Sequence, residues 1–234
     1  MASEPVKHLN QPLIYARGLT RVYTMASSQV VGVNAVDMDI SAGHLVVLKG
    51  NSGSGKSTLL SMLAGLDRPT SGELLVGGVD LSAASDGDLT RFRREKIGMV
   101  FQSFNLLPTL DILENVCLPS FLAGKPVIQT RKKGTDLLAW LGLESRLNHL
   151  PAQLSGGEMQ RTAIARALIN DPDIILADEP TGNLDSHNAE NVINLLAQLH
   201  EALQRTIIIA THSSLADPLA TLQILMKDGG IRIS

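Results

Sequence analysis

Apolar positions follow two rhythms along the chain. Leu45–Lys49 (LVVLK), Ile97–Phe101, Ile174–Ala177 and Thr206–Ala210 are short continuous runs that read as strands. The last two are rich in isoleucine, as parallel strands buried on both faces tend to be. Between them Val192, Leu195, Leu196, Leu199 and Leu203 recur at i, i+3, i+4, i+7 and i+11, one face of an amphipathic helix. Ser57–Ala64 reads as a helix closing near Gly65. The alternating run Glu73–Val76 meets Gly77–Gly78 in a hairpin-like pattern. From about Phe104 to Leu168 the pattern is helical, with no convincing strand. The whole therefore reads as an α/β core with a helical lobe inserted into it. Within that lobe Gly124–Gly134 (GKPVIQTRKKG) is polar and reads as an exposed connector, its RKK a solvated surface turn.

Composition narrows the classes. The chain has 234 residues, 44% of them hydrophobic and 18% charged. That suits one large domain or two small lobes with a real core, and excludes a disordered solvating chain. The formal net charge of −3 argues against duplex DNA or another bulk electrostatic partner. Cys117 is the only cysteine, so no intrachain disulfide can form, which suits a reducing compartment. Met1–Pro12 lacks the apolar core of a signal peptide, and no apolar run approaches the roughly 18 residues that span a bilayer. The expectation is that any work at a membrane is done while held there by another protein.

Three motifs carry chemistry. Gly50–Ser57 (GNSGSGKS) matches G-x-x-x-x-G-K-[ST], after a predicted strand and at the opening of a predicted helix, the context the motif requires. Its glycines let successive N–H groups point at phosphate oxygens, and the helix N-terminus adds favourable partial charge. Gly50, Asn51, Ser52, Gly53, Ser54, Gly55 and Thr58 are the phosphate-loop candidates beside two side chains with sharper roles. Lys56 reaches the β- and γ-phosphates, and the Ser57 hydroxyl ligates Mg²⁺. Asp173–Glu179 (DIILADE) is a buried strand ending in two carboxylates. Alternation sends them in different directions, so they need not share a task. Asp178 suits Mg²⁺, through water, and Glu179 suits polarisation of an attacking water. Leu154–Glu158 (LSGGE) opens a helical run to Leu168. It reads either as a second anion-binding helix end or as an ordinary serine-capped start.

A phosphate loop, then Gln102, LSGGE, IILADE and His212, in that order and at those spacings, resembles the ATP-binding-cassette ATPases from about Leu13 to Ile233. The resemblance implies a P-loop NTPase (RecA-like) core with an antiparallel β subdomain and an inserted α-helical subdomain. It implies one domain over 13–233, with the helical insertion at about 104–168 and residues 1–12 as an extension. Cofactors would be ATP and Mg²⁺. Members form head-to-tail homodimers around two ATP molecules, so Ser155, Gly156 and Gly157 would bind a γ-phosphate in trans and Asp185 would lie at the dimer interface. Gln102 would contact Mg²⁺ or the water, His212 the γ-phosphate, and Tyr23 would stack on adenine. The chain departs from the pattern at Asn51, where proline is commoner, at Lys49, where an apolar residue is usual, and at Ser213, where Asp is frequent.

Phe104–Pro119 and Pro180–Ser186 are similar to the branch that includes lipoprotein-release, macrolide-export and cell-division cassette ATPases. That resemblance implies a separate integral membrane permease as partner, no nucleic acid, and a peripheral place at the cytoplasmic face of the inner membrane. Phe104, Leu106, Leu107, Pro108 and Leu110 would lie near the groove that receives the permease's cytoplasmic helix, or would pack the lobe's own core. A solute-importer ATPase would share every catalytic residue and stays open at this point, as does a complex that transmits force rather than transporting. A soluble cassette of DNA repair or translation would usually show two cassettes or a coiled-coil insertion. A binding module without turnover would lack Glu179 or Lys56.

Overall fold

The computed structural model describes residues 12–25 and 28–233; the proposed extension, apart from Pro12, lies outside them. Its larger sheet has six strands in the order β10-β9-β3-β8-β7-β6. These are β3 (Leu45–Lys49), β6 (Ile97–Val100), β7 (Ile174–Asp178), β8 (Thr206–Thr211), β9 (Leu222–Lys227) and β10 (Gly230–Ile233). All pairings are parallel except that of β10 with β9. Successive side chains of these strands serve opposite faces. Val46, Leu48, Leu176, Ile208 and Ala210 join one buried cluster; Leu45, Val47, Ile175, Ala177, Ile207 and Ile209 join the other. Two-sided burial is why the runs read as continuous rather than alternating.

The first face is covered by α1 (Lys56–Leu63) and by a four-stranded antiparallel sheet, order β2-β1-β4-β5. Its strands are β1 (Ile14–Met25), β2 (Ser28–Ile40), β4 (Ser71–Val76) and β5 (Val79–Asp80), the last two joined at the expected Gly77–Gly78 turn. The pattern of β1 and β2 is not legible in the sequence, because register shifts between Ala16 and Leu19, and again up to Val22, break the alternation. The second face is covered by α3 (Ile112–Leu122), α5 (Gly156–Leu168) and α6 (Ser186–Leu203). The expected stripe on α6 is present: Val192, Leu196 and Leu199 are buried, Leu195 is half-buried and Leu203 marks the exposed edge. Replacing one such leucine by alanine would cost about 2–5 kcal/mol.

The helical lobe differs from expectation in one place. Gly124–Gly134 is not a connector: from Val127 onward it is the first half of α4 (Val127–Trp140). The polar face misled, because α4 buries small residues. Thr130 shares a hydroxyl contact of 3.0 Å with Ser120 of α3, and a Cβ on Gly134 would lie 2.7 Å from Cys117 Sγ. The RKK is solvated as expected, with Lys132 on Asp136 and Lys133 on Asp171, but on a helix rather than a turn. A further helix, α2 (Asp86–Lys96), also escaped the sequence reading, since it buries only Leu89 and Phe92. Its ends are nonetheless well formed. Ser85 accepts from Asp88 N–H, acids fill the first turn and bases the last.

Candidate functional site

The carboxyl ends of the parallel strands converge where ligands of such sheets bind. β3 runs out at Lys49, the loop Gly50–Gly55 curls, and α1 begins at Lys56. Gly55 takes φ 104°, and a Cβ there would fall 2.0 Å from the Gly32 carbonyl of β2, so only glycine fits. Lys56 is buried and folds back over its own loop, donating to Gly50 O at 2.8 Å and lying 3.5 Å from Glu179 Oε1. Ser57 Oγ donates to Asp178 Oδ1 at 3.1 Å. Burial pushes the Asp178 carboxyl above its ordinary pKa, the Ser57 hydrogen bond opposing this. Ser57 and Asp178 form an all-oxygen pair at the end of the phosphate loop. That fits a small hard cation such as Mg²⁺, which keeps waters and substrate oxygens as its other ligands.

Glu179 sits one residue past β7 with φ 45°, and its N–H donates to Ala210 O at 2.8 Å. This left-handed backbone is strained for glutamate. The second Glu179 oxygen lies 3.0 Å from Nδ1 of His212, the first residue after β8. Lys56, Glu179 and His212 thus form a contiguous row. Gln102 follows β6, its carbonyl accepting from Asn183 Nδ2 at 3.0 Å and its amide packed against Gly182. A cleft of ≈ 720 Å³ is lined by Tyr23, Gln102, Glu179 and His212. Asn51, Ser52, Gly53, Gly55, Lys56, Ser57 and Thr58 line the same cleft. Gly50 and Ser54 lie outside its lining, and the Ser54 hydroxyl is buried without a hydrogen-bond partner.

Ser155, Gly156, Gly157 and Asp185 are not among the lining residues. Ser155 caps α5: its Oγ accepts from Glu158 N–H, and Glu158 Oε2 accepts from Ser155 N–H at 2.8 Å. Those N–H and hydroxyl donors, with Arg146, hold Glu158 below the usual carboxylate range. A Cβ on Gly157 would fall 2.4 Å from Asn188 Oδ1, and Asp185 caps α6 through Asn188 N–H. The structure shows the serine-capped start at this helix end. It packs beside the Asp185 turn, apart from the cleft.

Near the stretch Phe104–Leu110 a space of ≈ 440 Å³ opens between Arg93, Met99, Phe101, Asn105, Leu122 and Arg166, and Phe104, Leu106, Leu107, Pro108 and Leu110 are not among its lining residues. The stretch does not belong to the lobe's buried core either: Leu107 is 45% exposed and Phe104, Leu106 and Leu110 are half-buried. Arg166 of α5 donates to the carbonyls of both Phe104 and Asn105, which take φ 61° and 50°. An arginine in the otherwise apolar run Ala163–Leu168 was the available signal for this clamp.

Comparison with known proteins supplies the frame. A family model described as ABC transporter matches residues 33–182. An uncharacterized ABC transporter ATP-binding protein of Thermotoga maritima is 46% identical over 90% of this chain and 90% of its own. The lipoprotein-releasing system ATP-binding protein LolD of Nitrobacter winogradskyi is 46% identical over 88% of this chain and 89% of its own. The macrolide export ATP-binding/permease protein MacB of Wolinella succinogenes is 45% identical over 95% of this chain, which spans 34% of that longer protein. Among solved structures, the ATP-binding cassette MJ0796, in a dimeric post-hydrolysis state bound to ADP and Pi, superposes with a TM-score of 0.87. It is 40% identical, covering 94% of this chain and 97% of that one.

Proposed function

The chain belongs to the ABC transporter family, and on that premise we propose that it is the ATP-hydrolysing subunit of a transporter, working as a homodimer on a separate membrane permease. The observation that carries the dimer is the division of the site. Lys56, Glu179 and His212 are gathered in the cleft, while the α5 N-terminus at Ser155 is outside it. Two chains head to tail complete each other's sites around two ATP molecules. The dimeric state of MJ0796, and its ADP and Pi, support that arrangement.

In this reading Lys56 leaves its loop carbonyls for the phosphates. Glu179 takes a proton from the attacking water, and His212 holds Glu179 and meets the γ-phosphate. The N–H groups of Gly156 and Gly157, at the start of α5, receive the γ-phosphate of the partner's ATP. Ser57, Asp178 and Gln102 would hold Mg²⁺, which would supply charge to neutralise the phosphates. Asp185 braces the dimer interface. Residues 13–233 act as one domain with the helical lobe at about 104–168 inserted.

No helix among the described residues is long and apolar enough to cross a membrane. The permease supplies the span and holds the chain at the cytoplasmic face. The LolD and MacB relatives favour a permease of the lipoprotein-release or macrolide-export type over that of a solute importer. The groove between Met99, Phe101 and Leu122 is the proposed seat of its cytoplasmic helix, with Arg93 and Arg166 suiting an acidic residue there. Leu122 is 73% exposed, so Leu122→Asp should leave melting unchanged while abolishing co-purification with an integral membrane protein from detergent-solubilised membranes. Undiminished co-purification of Leu122→Asp refutes the seat, and a wild-type chain that never co-purifies refutes the permease.

A further inference from the structure

Tyr23 faces the cleft, and two residues outside the cleft lining hold it there. Its Oη donates to Asp67 Oδ2 at 2.7 Å. Arg21, two residues earlier on β1, donates from Nε to the same oxygen at 2.8 Å and reaches Oδ1 with Nη2 at 2.8 Å. Its guanidinium carbon lies 4.6 Å from the centroid of the Tyr23 ring, so the cation packs on the aromatic face. Asp67 is itself fixed. Its N–H donates to Ser61 O of α1 at 3.2 Å, and Arg68 N–H donates to Asp67 Oδ1 at 2.9 Å. Neither Arg21 nor Asp67 is in the cleft lining, whereas Tyr23 is. One carboxylate, four residues beyond the C-terminus of α1, therefore ties down an aromatic ring that shares the cleft with the phosphate loop at the N-terminus of the same helix.

We propose that Asp67 and Arg21 are positioning residues that set the distance and tilt between the phosphate-binding end of α1 and the Tyr23 face on which a nucleobase stacks. This rests on the reading that the cleft binds a nucleoside triphosphate with its base on Tyr23. Because the hydroxyl of Tyr23 is committed to Asp67, the ring offers the base a π-face and no hydrogen bond. Helix α1 is the rigid spacer between the two ends, since its hydrogen-bond ladder fixes the rise per residue. Loss of the tether frees the ring to rotate, and the ordering lost must then be supplied on binding. The consequence is confined to ligands that carry a base.

The test compares ATP with inorganic tripolyphosphate, which has the phosphates but no base, as ligands of the purified chain. Tyr23→Ala removes the platform and should weaken ATP binding by about tenfold or more, the usual worth of one stacked base. Tyr23→Phe keeps the ring and loses the tether; Asp67→Ala loses tether and clamp together. Both should raise the ATP Kd and KM by about three- to tenfold with kcat near wild type, the signature of lost uniform binding. Tripolyphosphate affinity should be unchanged in all three, and Asp67→Glu should recover part of the loss. Arg17 is the control. It lies 4.2 Å over Tyr15 on the same strand and pairs with Asp39, yet neither side chain lines the cleft, so Arg17→Ala should leave ATP affinity unchanged. If Tyr23→Ala weakens ATP binding while Tyr23→Phe and Asp67→Ala do not, the positioning role is overturned and stacking stands. If Tyr23→Ala has no effect, the stacking itself is wrong. Equal losses for ATP and tripolyphosphate in Asp67→Ala would reduce Asp67 to a support of α1.

Discussion

The two ends of the nucleotide site are made of the same kinds of residue and are built in opposite ways. At the phosphate-loop end, groups are held against their preferences. Lys56 is buried, Glu179 sits at φ 45°, and burial raises the Asp178 carboxyl. At the α5 end, the capping groups are paired. Ser155 and Glu158 satisfy each other in a capping box, and Asp185 is held below the usual carboxylate range by the Asn188 N–H and amide. Strain thus gathers at the end to which the chemistry is assigned by the proposed function, and satisfied caps at the end assigned to the partner. In the proposed function the first end does the chemistry within one chain and the second receives the partner.

The largest test of this contrast is Glu179→Gln, which keeps size and hydrogen bonding but cannot take a proton. Hydrolysis should fall by about 10²–10⁴-fold, the usual worth of a general base. ATP should still bind and should trap the dimer, visible as an ATP-dependent doubling of mass in light scattering. Near-normal turnover would remove the base from Glu179. The next test sets one end against the other. Lys56→Ala should weaken ATP binding within the chain, through loss of a charged phosphate contact. Ser155→Arg should leave monomer binding intact, because Ser155 is outside the cleft lining, yet should block dimerisation and reduce turnover by about 10²-fold. Mixing the two variants restores at most one composite site, so activity should recover to no more than half. Loss of ATP binding by monomeric Ser155→Arg would contradict the division of the site.

The contrast also decides what could be read from the sequence. The phosphate-loop end was legible because its chemistry is local: Gly50–Ser57 is one loop and the start of the helix after it, and DIILADE is one strand and the residue that follows it. β3, β6, β7 and β8 were legible because both faces are buried, which leaves a plain run such as Ile207–Ile209, whereas β9 buries only Ile224 and Met226 and was not. β1 and β2 were hidden, since register shifts between Ala16 and Arg21 scramble the two-residue alternation. The first half of α4 was hidden because the residues it buries there are Thr130 and Gly134, the buried Leu138 coming only in the second half. The space beside Met99 and Leu122 was not legible because its walls come from α2, β6, α3 and α5, which are far apart in sequence. Arg166 and Asp67 were missed for a related reason. Each acts across more than 40 residues of sequence on a loop or strand that no local pattern links to it.

The smallest expected effect is the sharpest, because the same substitution should act with opposite sign at the two ends. Asp178 has its folded pKa raised by burial, so the stability linked to it is fully present below the unfolded value of about 4 and is lost as pH rises through the folded value. Asp178→Asn removes the charge whose burial is unfavourable and keeps an oxygen for the Ser57 hydroxyl. Its melting temperature should exceed wild type at pH 8, by on the order of a degree because the carboxyl is partly hydrated, and should match it at acid pH. It should also lose hydrolysis, since a neutral amide holds a divalent cation poorly. Asp185 has its folded pKa lowered, first by the Asn188 N–H and then by the Asn188 side chain. Its contribution is present above the unfolded value and lost as pH falls through the folded one. Asp185→Asn should therefore melt slightly below wild type at pH 8 and converge with it at low pH. Scanning calorimetry of both variants across pH 4–8 reads the two signs on one protein. Two shifts of the same sign would mean that the ends do not differ in how they hold charge, and that the division between a strained and a satisfied half is only geometric.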